Sequence, residues 1–595
     1  MSTYTPTPKL GGDDSTLSSA FSPEKRSLDI PQDQLAVSNP DNNNNDDNNN
    51  SSPDSIEAET AGLIFSPDWR FYLAFISLSV VTMAAALDAT SLSVALPIMA
   101  QKLKGTAIEA FWSGTSFLVT STVFQPSYAA LSHIFGRKPV IFVALMLFAV
   151  GAIIAAVANN FTVILVGRSL QGIGAGGIIS LTEIVVSDMV PLKERGKWFG
   201  FISGVWAIGS VSGPIIGGAF AQNVSWRWIF WINIPIIGVG SVMVFFFLKL
   251  QHTSAESFAK QLARIDWFGS FLFIASLTSI LVPLSWGGVM YNWDHWRTLV
   301  PLILGFVGII AFIPYEYYFA KEPMVRFSIF RNWTSRVVYF QTFMHGIILW
   351  SILYYAPIYY EAVKDMSPIM AGVAVFPETF TVAPASIVVG ILTSLTGKYR
   401  WALWSGWILT TLGMGILYLE DVHTSTVAWI FLNLVPGLGT GILFAGMGIA
   451  IPAAANPKDM GHAVAFYSFF RTLGQGVGVA ISGSIFQNEI SKKLSAYPLL
   501  APLAEQYSKD AAGLVQVIKS MPHGLERTQL VQAYADSLKI VWAVMAGLAG
   551  AALLTNFFVK AYSLDVALDT EQGFAGKKKV VDVEKTKSDG EKGEA

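Results

Sequence analysis

Ionisable side chains interrupt stretches that are otherwise apolar: Asp88, Arg168, Glu183, Glu378 and Arg471. Placing such a group in hydrocarbon costs about 2.5–3.5 kcal/mol, so each needs a reason. Asp88 lies nine residues before Pro97, and Arg168 lies seven residues after Phe161. At about 1.5 Å rise per residue both sit roughly 10–14 Å below the same surface, a common depth that permits an ion pair. A carboxylate beside a cation keeps its charge until the pair opens, and can then take a proton, which is what exchange against protons requires. Asp88 and Arg168 are therefore proton-coupling candidates. Glu378 is a third, because the flanking Pro377 and Pro384 would break a helix around an acid at mid-membrane depth. Glu183 is a fourth, although at the inner end of its apolar run it could also snorkel to water. Gln171, Trp350, Tyr354, Phe376, Arg471 and Gln475 are candidates for the wall of a substrate cavity, Arg471 also for an interhelical hydrogen-bonding anchor. His345 reads as a core histidine.

Other chemistries find no support. The chain has no cysteine, which excludes thiol catalysis, disulfides and thiolate-bound metals. No nucleophile–base pair or metal-ligand spacing stands out, and no Gly-Lys-Ser or Gly-Lys-Thr occurs. An enzyme, a resident cofactor or metal, and an ATP-driven pump with its own nucleotide site are not expected. A net charge of -2 leaves no basic footprint for nucleic acid.

The elements that must carry these residues are membrane helices. Hydrophobic residues make up 52% of the chain and charged residues 13%, with mean hydropathy +0.49. Apolar runs near 71–97, 109–131, 139–158, 161–188, 196–221, 226–250, 267–290, 298–320, 337–362, 367–395, 401–419, 426–452, 461–486 and 538–560 each cover the ~30 Å hydrocarbon core as a helix. The expected organisation is a disordered cytoplasmic tail 1–68, a six-helix bundle 69–250, a linker with two inserted helices 251–331, and a second bundle 332–560. The second bundle carries a long outer loop 487–537, with short amphipathic helices expected near 511–521 and 525–538, and a cytoplasmic tail 561–595 follows. With both tails inside, the inner loops hold 15 Lys and Arg and the short outer loops five, as the positive-inside rule requires.

The bundles echo one another. Ala129-x-Leu131-x4-Gly136-Arg137 reappears as Gly390-x-Leu392-x4-Gly397-Lys398. Gly172-x-Gly174-x-Gly176 reappears as Gly437-x-Gly439-x-Gly441, and Gly209-x3-Gly213-x3-Gly217-Gly218 as Gly474-x3-Gly478-x3-Ser482-Gly483. Parallel repeats of this kind imply pseudo-symmetric halves around a central site. Arg168 corresponds to Asn433 and Gln171 to Pro436, so packing is duplicated while charge is not. Gly209, Gly213 and Gly217 share one helix face and allow close backbone approach, and Pro214 bends that helix.

Leu131-Ser-His-Ile-Phe-Gly136-Arg137-Lys138 resembles the cytoplasmic signature of the major facilitator superfamily, with Ala129 for its first glycine and His133 for its acid. Gly209-x3-Gly213-Pro214-x2-Gly217-Gly218 resembles the antiporter signature of drug:proton exchangers. Leu87-Asp88-Ala-Thr90, Arg168-Ser-Leu-Gln171 and Trp226-Arg-Trp-Ile-Phe-Trp-Ile-Asn233 resemble the fourteen-span drug:proton antiporter family. Phe470-Arg471-Thr-Leu-Gly474 and Asp569-Thr-Glu-Gln-Gly573 resemble its fungal members. The resemblance implies an all-α major facilitator fold: two pseudo-symmetric six-helix bundles plus two inserted helices, fourteen spans in all. It implies Gly136, Arg137 and Lys138 as a conformational latch, which His133 would weaken or make pH-dependent. It also implies export of toxic compounds, drugs or secondary metabolites in exchange for protons, by alternating access. Small-molecule substrate, protons and the lipid bilayer are the expected partners, and a monomer in the plasma membrane the expected form. Two readings stay open: a carrier for a siderophore or basic amino acid at the plasma or vacuolar membrane, and a transporter-like nutrient sensor.

Overall fold

The computed structural model describes residues 67–92, 95–105, 107–251, 257–288, 290–508 and 511–565. The expected tails, and with them Asp569–Gly573, lie almost wholly outside the described residues. The regular elements within them are helices: α1 (Trp69–Ser91), α2 (Leu96–Lys102), α3 (Ala107–Phe135), α4 (Arg137–Ala156), α5 (Phe161–Met189), α6 (Leu192–Asn223), α7 (Trp228–Trp231), α8 (Asn233–Phe247), α9 (Phe258–Arg264), α10 (Trp267–Trp286), α11 (Trp296–Tyr318), α12 (Trp333–Ala362), α13 (Pro368–Ala374), α14 (Phe376–Thr396), α15 (Arg400–Leu417), α16 (Thr426–Ala454), α17 (Met460–Ser495), α18 (Ala504–Ser508), α19 (Ala511–Ser520) and α20 (Leu525–Thr555). Eleven helices among the described residues, counting α7–α8 and α13–α14 as one each, are long and apolar enough to cross a membrane. Three more long helices, α3, α15 and α17, have 29, 18 and 36 residues. Two of them, α3 and α17, pack on each other, and Gln125 donates to the Thr472 hydroxyl across their contact at 3.1 Å. A helix shielded by protein in this way can be more polar than one facing lipid.

The duplication in sequence is a duplication in packing. Helix α6 lies on α1 along Gly209, Gly213 and Gly217: a methyl at Gly209 would come within 2.6 Å of the Ala86 methyl, and one at Gly217 would overlap the Ser91 carbonyl. Gly218 is buried beside them, and Pro214 lies inside the helix. Helix α17 lies on α12 in the same manner through Gly474 and Gly478, and Ser482 ends the series with a 2.7 Å hydroxyl contact to Ser351. Likewise α5 fits between α3 and α4 through Gly172, Gly174 and Gly176, and α16 fits between α14 and α15 through Gly437, Gly439 and Gly441. Small residues here replace the hydrophobic effect, which cannot drive helix association inside lipid.

One large apolar cluster centres on α1, α4, α5 and α8, and another on α12, α16, α17 and α20. The inserted helices α10 and α11 pack on one another, and α10 also touches α3 and α17. Val300, Ile303, Leu304, Val307 and Ile310 of α11 are exposed, the surface of a helix at the bundle's lipid edge. The halves meet through α3–α17, α5–α17, α6–α14 and α6–α16.

Two expected boundaries shift. Helix α20 starts at Leu525 and runs unbroken to Thr555, so the expected separate helix near 525–538 is the first part of the last span. Its buried stripe Leu530, Ala533, Tyr534, Leu538, Val541 keeps helical spacing throughout, and Phe486 of α17 packs on Tyr534 at 4.7 Å. Helix α17 in turn extends to Ser495, which shortens the loop between the two.

Candidate functional site

Asp88 and Arg168 meet. The Arg168 Nη1 donates to Asp88 Oδ2 and to Gln171 Oε1 at 2.9 Å, while its Nε donates to the Ser113 carbonyl at 3.0 Å. Asp88 Oδ1 accepts from Gln171 Nε2 and from Asn233 Nδ2, both at 2.8 Å. The guanidinium lies 4.3 Å from the Phe117 ring centre. All four polar side chains are buried, and three helices, α1, α5 and α8, supply them. This corrects the placing of Gln171 on the cavity wall: its amide bridges acid and cation inside the N-terminal half. Asn233, whose role sequence reasoning missed, is the fourth member. Since Ser91 pairs with Gly217 as Ser351 pairs with Ser482, the counterpart of Asp88 is Ile348, buried and uncharged.

Between the halves lies an open cavity. Trp206 and Ser203 of α6 form one wall, Trp350 and Leu353 of α12 another, and Glu378, Phe444, Arg471 and Gln475 complete it. Glu378 is fully buried, and among the described residues neither of its oxygens has a hydrogen-bonding partner. The chain positions it by breaking one span: α13 ends at Ala374, Val375 lies between, and α14 begins at Phe376 with Pro377 in its first turn, where a missing N–H costs nothing. Gly172 packs on the Phe117 backbone as Gly437 packs on that of Glu378, so the duplicated position carries a phenyl ring in one half and an acid in the other.

Arg471 of α17 donates to Glu183 of α5 at 2.5 Å, with both side chains buried. Glu183 therefore does not snorkel to water; it forms an ion pair across the two halves. Arg471 also stacks on Phe444 and Tyr467, at 4.7 and 4.9 Å. Tyr354 and Phe376 are not among the cavity-lining residues. Tyr354 packs on Tyr355 at 5.6 Å in the C-terminal core. Phe376 stands two residues, about 200° of helix, from Glu378. His345 is a core residue, its Nε2 3.0 Å from the Thr440 carbonyl.

The Gly136–Lys138 turn closes one end of the molecule. Gly136 takes φ 87°, a conformation that favours glycine, and its repeat Gly397 has φ 64°. Arg137 donates to Asp188 at 2.9 Å and to Ser132 at 2.7 Å, and Lys138 donates to the Phe245 carbonyl at 2.7 Å. His133 Nε2 lies 2.8 Å from Arg326 of the linker between insert and C-terminal half. Its ring sits 5.4 Å from that of His462. Arg326 also pairs with Asp459 at 3.2 Å. At this same end a methyl on Gly200 would come within 2.8 Å of the Ile387 Cα, and Ser394 donates to Glu194 at 2.7 Å. The two halves are thus closed against each other on the side of the basic turn. Among the described residues no three His, Asp or Glu side chains gather as a metal site.

Two like-packed helical halves, joined at one end over a cavity walled by both, are the architecture of a membrane carrier. Residues 78–479 match the sequence profile of the Major Facilitator Superfamily, and the chain belongs to that family. It is 57% identical over 521 residues to the MFS transporter L2 of Phoma sp., covering 88% of this chain and 87% of that one. It is 38% identical over 514 residues to the efflux pump FUS6 of Gibberella fujikuroi, covering 86% and 92%. Among solved structures it is similar to the human organic anion transporter MFSD10 (TETRAN), with TM-score 0.52 and 14% identity over 83% of this chain and all of that one, a likeness of fold. The protein is a multi-pass secondary transporter of small molecules.

Proposed function

We propose that this carrier is a proton-coupled antiporter of the plasma membrane that exports toxic compounds or secondary metabolites, working as a monomer with fourteen spans in six-two-six order. The observation that carries the reading is Glu378: a buried carboxyl without a hydrogen-bonding partner among the described residues, in the wall of the cavity between the halves. A group so placed is satisfied either by a proton or by a hydrogen-bond donor or cation on the substrate. Competition between the two is the elementary step of exchange. Trp206, Trp350 and Phe444 offer apolar aromatic walls, and Arg471, the cation of the lining among the described residues, is neutralised by Glu183. The site suits aromatic compounds that are neutral or cationic. Asp88, held by Arg168, is the second coupling group: opening that pair as the halves rock would expose its carboxylate to a proton.

The driving force is adequate. One proton moving inward gains about 2.3 kcal/mol per 100 mV and about 1.4 kcal/mol per pH unit. The export names of relatives such as FUS6 point the same way. The test is efflux of a broad compound panel from a deletion strain and a complemented strain, with and without protonophore, alongside Glu378→Gln. Glu378→Gln, which mimics the protonated acid, should bind cationic substrates more weakly and lose protonophore-sensitive efflux. Full, protonophore-sensitive efflux by that variant would refute the assignment.

A further inference from the structure

Position 433 is one of the places where the two halves differ in charge. Its duplicate, Arg168, holds an acid with a full positive charge, whereas Asn433 is neutral and yet also faces a buried acid. That acid is Glu420, just past the end of α15, and its side chain is buried. Asn433 Nδ2 donates to Glu420 Oε1 at 2.8 Å and lies equally close to the Tyr360 hydroxyl and 2.9 Å from the Trp429 carbonyl. Tyr360 also hydrogen-bonds Glu420. Three acceptors thus crowd one amide nitrogen, while Asn433 Oδ1 is buried without a donor among the described residues.

An amide turned by 180° exchanges its donor and acceptor faces. In one orientation the Asn433 nitrogen donates to an ionised Glu420. In the other, Oδ1 accepts a hydrogen bond that Glu420 can supply only when protonated. The pocket therefore satisfies both charge states of the acid, and its unfilled acceptor belongs to the protonated one. We infer that Glu420 is a second proton-binding site of this carrier, loaded from the outer side of the C-terminal half, with Asn433 reversing its hydrogen bond on protonation. The inference rests on the proton-driven reading above.

The surroundings support it. Just past the end of α12, Lys364 faces the loop but its ammonium donates to the carbonyls of Asp421, Val422 and Thr424, at 3.0, 2.7 and 2.7 Å. Tyr359 donates to the Asp421 carbonyl at 2.9 Å. From the loop itself, Asp421 is tied to Lys539 of α20 at 3.3 Å and to Gln532 at 3.1 Å. From α14, Glu378 is within electrostatic reach of Tyr360, as Glu420 is. Burial pushes the Glu420 carboxyl up to about 8, against the opposing pull of Asn433, Lys364 and Tyr360. The acid is thus proton-loaded below that pH and unloads above it. Access is short, because Leu419 and His423 on either side are exposed.

Infrared difference spectra of the purified full chain in lipid nanodiscs, stepped between acid and alkaline pH, test the proposal. A protonated-carboxyl band with a midpoint near pH 8 should be present in Glu378→Gln, where the cavity acid contributes none, and absent when Glu420→Gln, which keeps the neighbours' hydrogen bonds, is added to it. Asn433→Ser, which removes the reversing partner, should move the midpoint by about one pH unit. In proteoliposomes whose inner and outer pH are stepped together, so that the gradient is constant, the native efflux rate should fall as pH rises through that midpoint, and Glu420→Gln should show a smaller fall. A band that survives when Glu420→Gln is added to Glu378→Gln, or is unmoved when Asn433→Ser is added to it, overturns the assignment. Efflux indifferent to protonophore in the native protein would instead overturn the proton-driven reading, whatever the spectra show.

Discussion

Replacing Asp88 with asparagine should destabilise the N-terminal half and stop proton-driven export together. The structure sets the magnitude. Asparagine keeps one oxygen for Gln171 and Asn233, but its new –NH2 faces the Arg168 Nη1 that Asp88 Oδ2 now accepts from. Two donors then meet with no acceptor between them, and a buried guanidinium loses its counter-ion. Breaking a buried pair from one side costs about 3–5 kcal/mol. Here the lower end, about 3 kcal/mol, is expected, because Arg168 retains Gln171 Oε1, the Ser113 carbonyl and the Phe117 ring. The double variant Asp88→Asn, Arg168→Gln removes the orphaned charge and should recover most of that loss. It should also insert and fold while failing to couple efflux to protons. The assay is chemical denaturation of the purified variants alongside efflux from proteoliposomes with an imposed pH gradient. A single variant within about 0.5 kcal/mol of the native protein that still exports normally would refute the reasoning on both counts. Recovery of coupled efflux in the double variant would reduce the pair to a structural bridge.

Two further outcomes follow from the interfaces. Gly213→Val should abolish transport with the protein still reaching the membrane, since its side chain would strike Thr90 Oγ1 and the Ser91 backbone; overpacking of this kind costs about 1–3 kcal/mol, and efflux with surface expression reads it. Arg471→Ala should impair export more than Arg471→Gln combined with Glu183→Gln, because the first leaves a bare carboxylate between the halves and the second leaves neutral hydrogen-bonding groups; equal defects in matched efflux assays would show that the pairing itself is immaterial.

Much of the fold was legible in the chain because the bilayer acts on each residue separately. Long apolar runs, polar linkers and the count of basic residues in each loop follow from local solvent environment alone. Glycines spaced four apart likewise announce close helix contact without naming the partner. The duplication was readable for the same reason, since each half must solve the same packing problem. Even the meeting of Asp88 with Arg168 could be anticipated from equal depth.

What depth could not provide was azimuth. Gln171 turns inward to the acid, while Glu378 lines a cavity and has no hydrogen-bonding partner among the described residues. Glu183 and Arg471, 288 residues apart, share no local pattern that would pair them. His133 finds Arg326 in a linker 193 residues further along the chain, and Glu420 sits in what reads as an ordinary loop. Sequence by itself therefore determined which segments enter the membrane, in what order and as what repeated unit, because hydropathy and residue size are properties of single positions. Tertiary structure alone decided which buried charges are answered and which are left open, because a helix's rotation is set by all its neighbours at once.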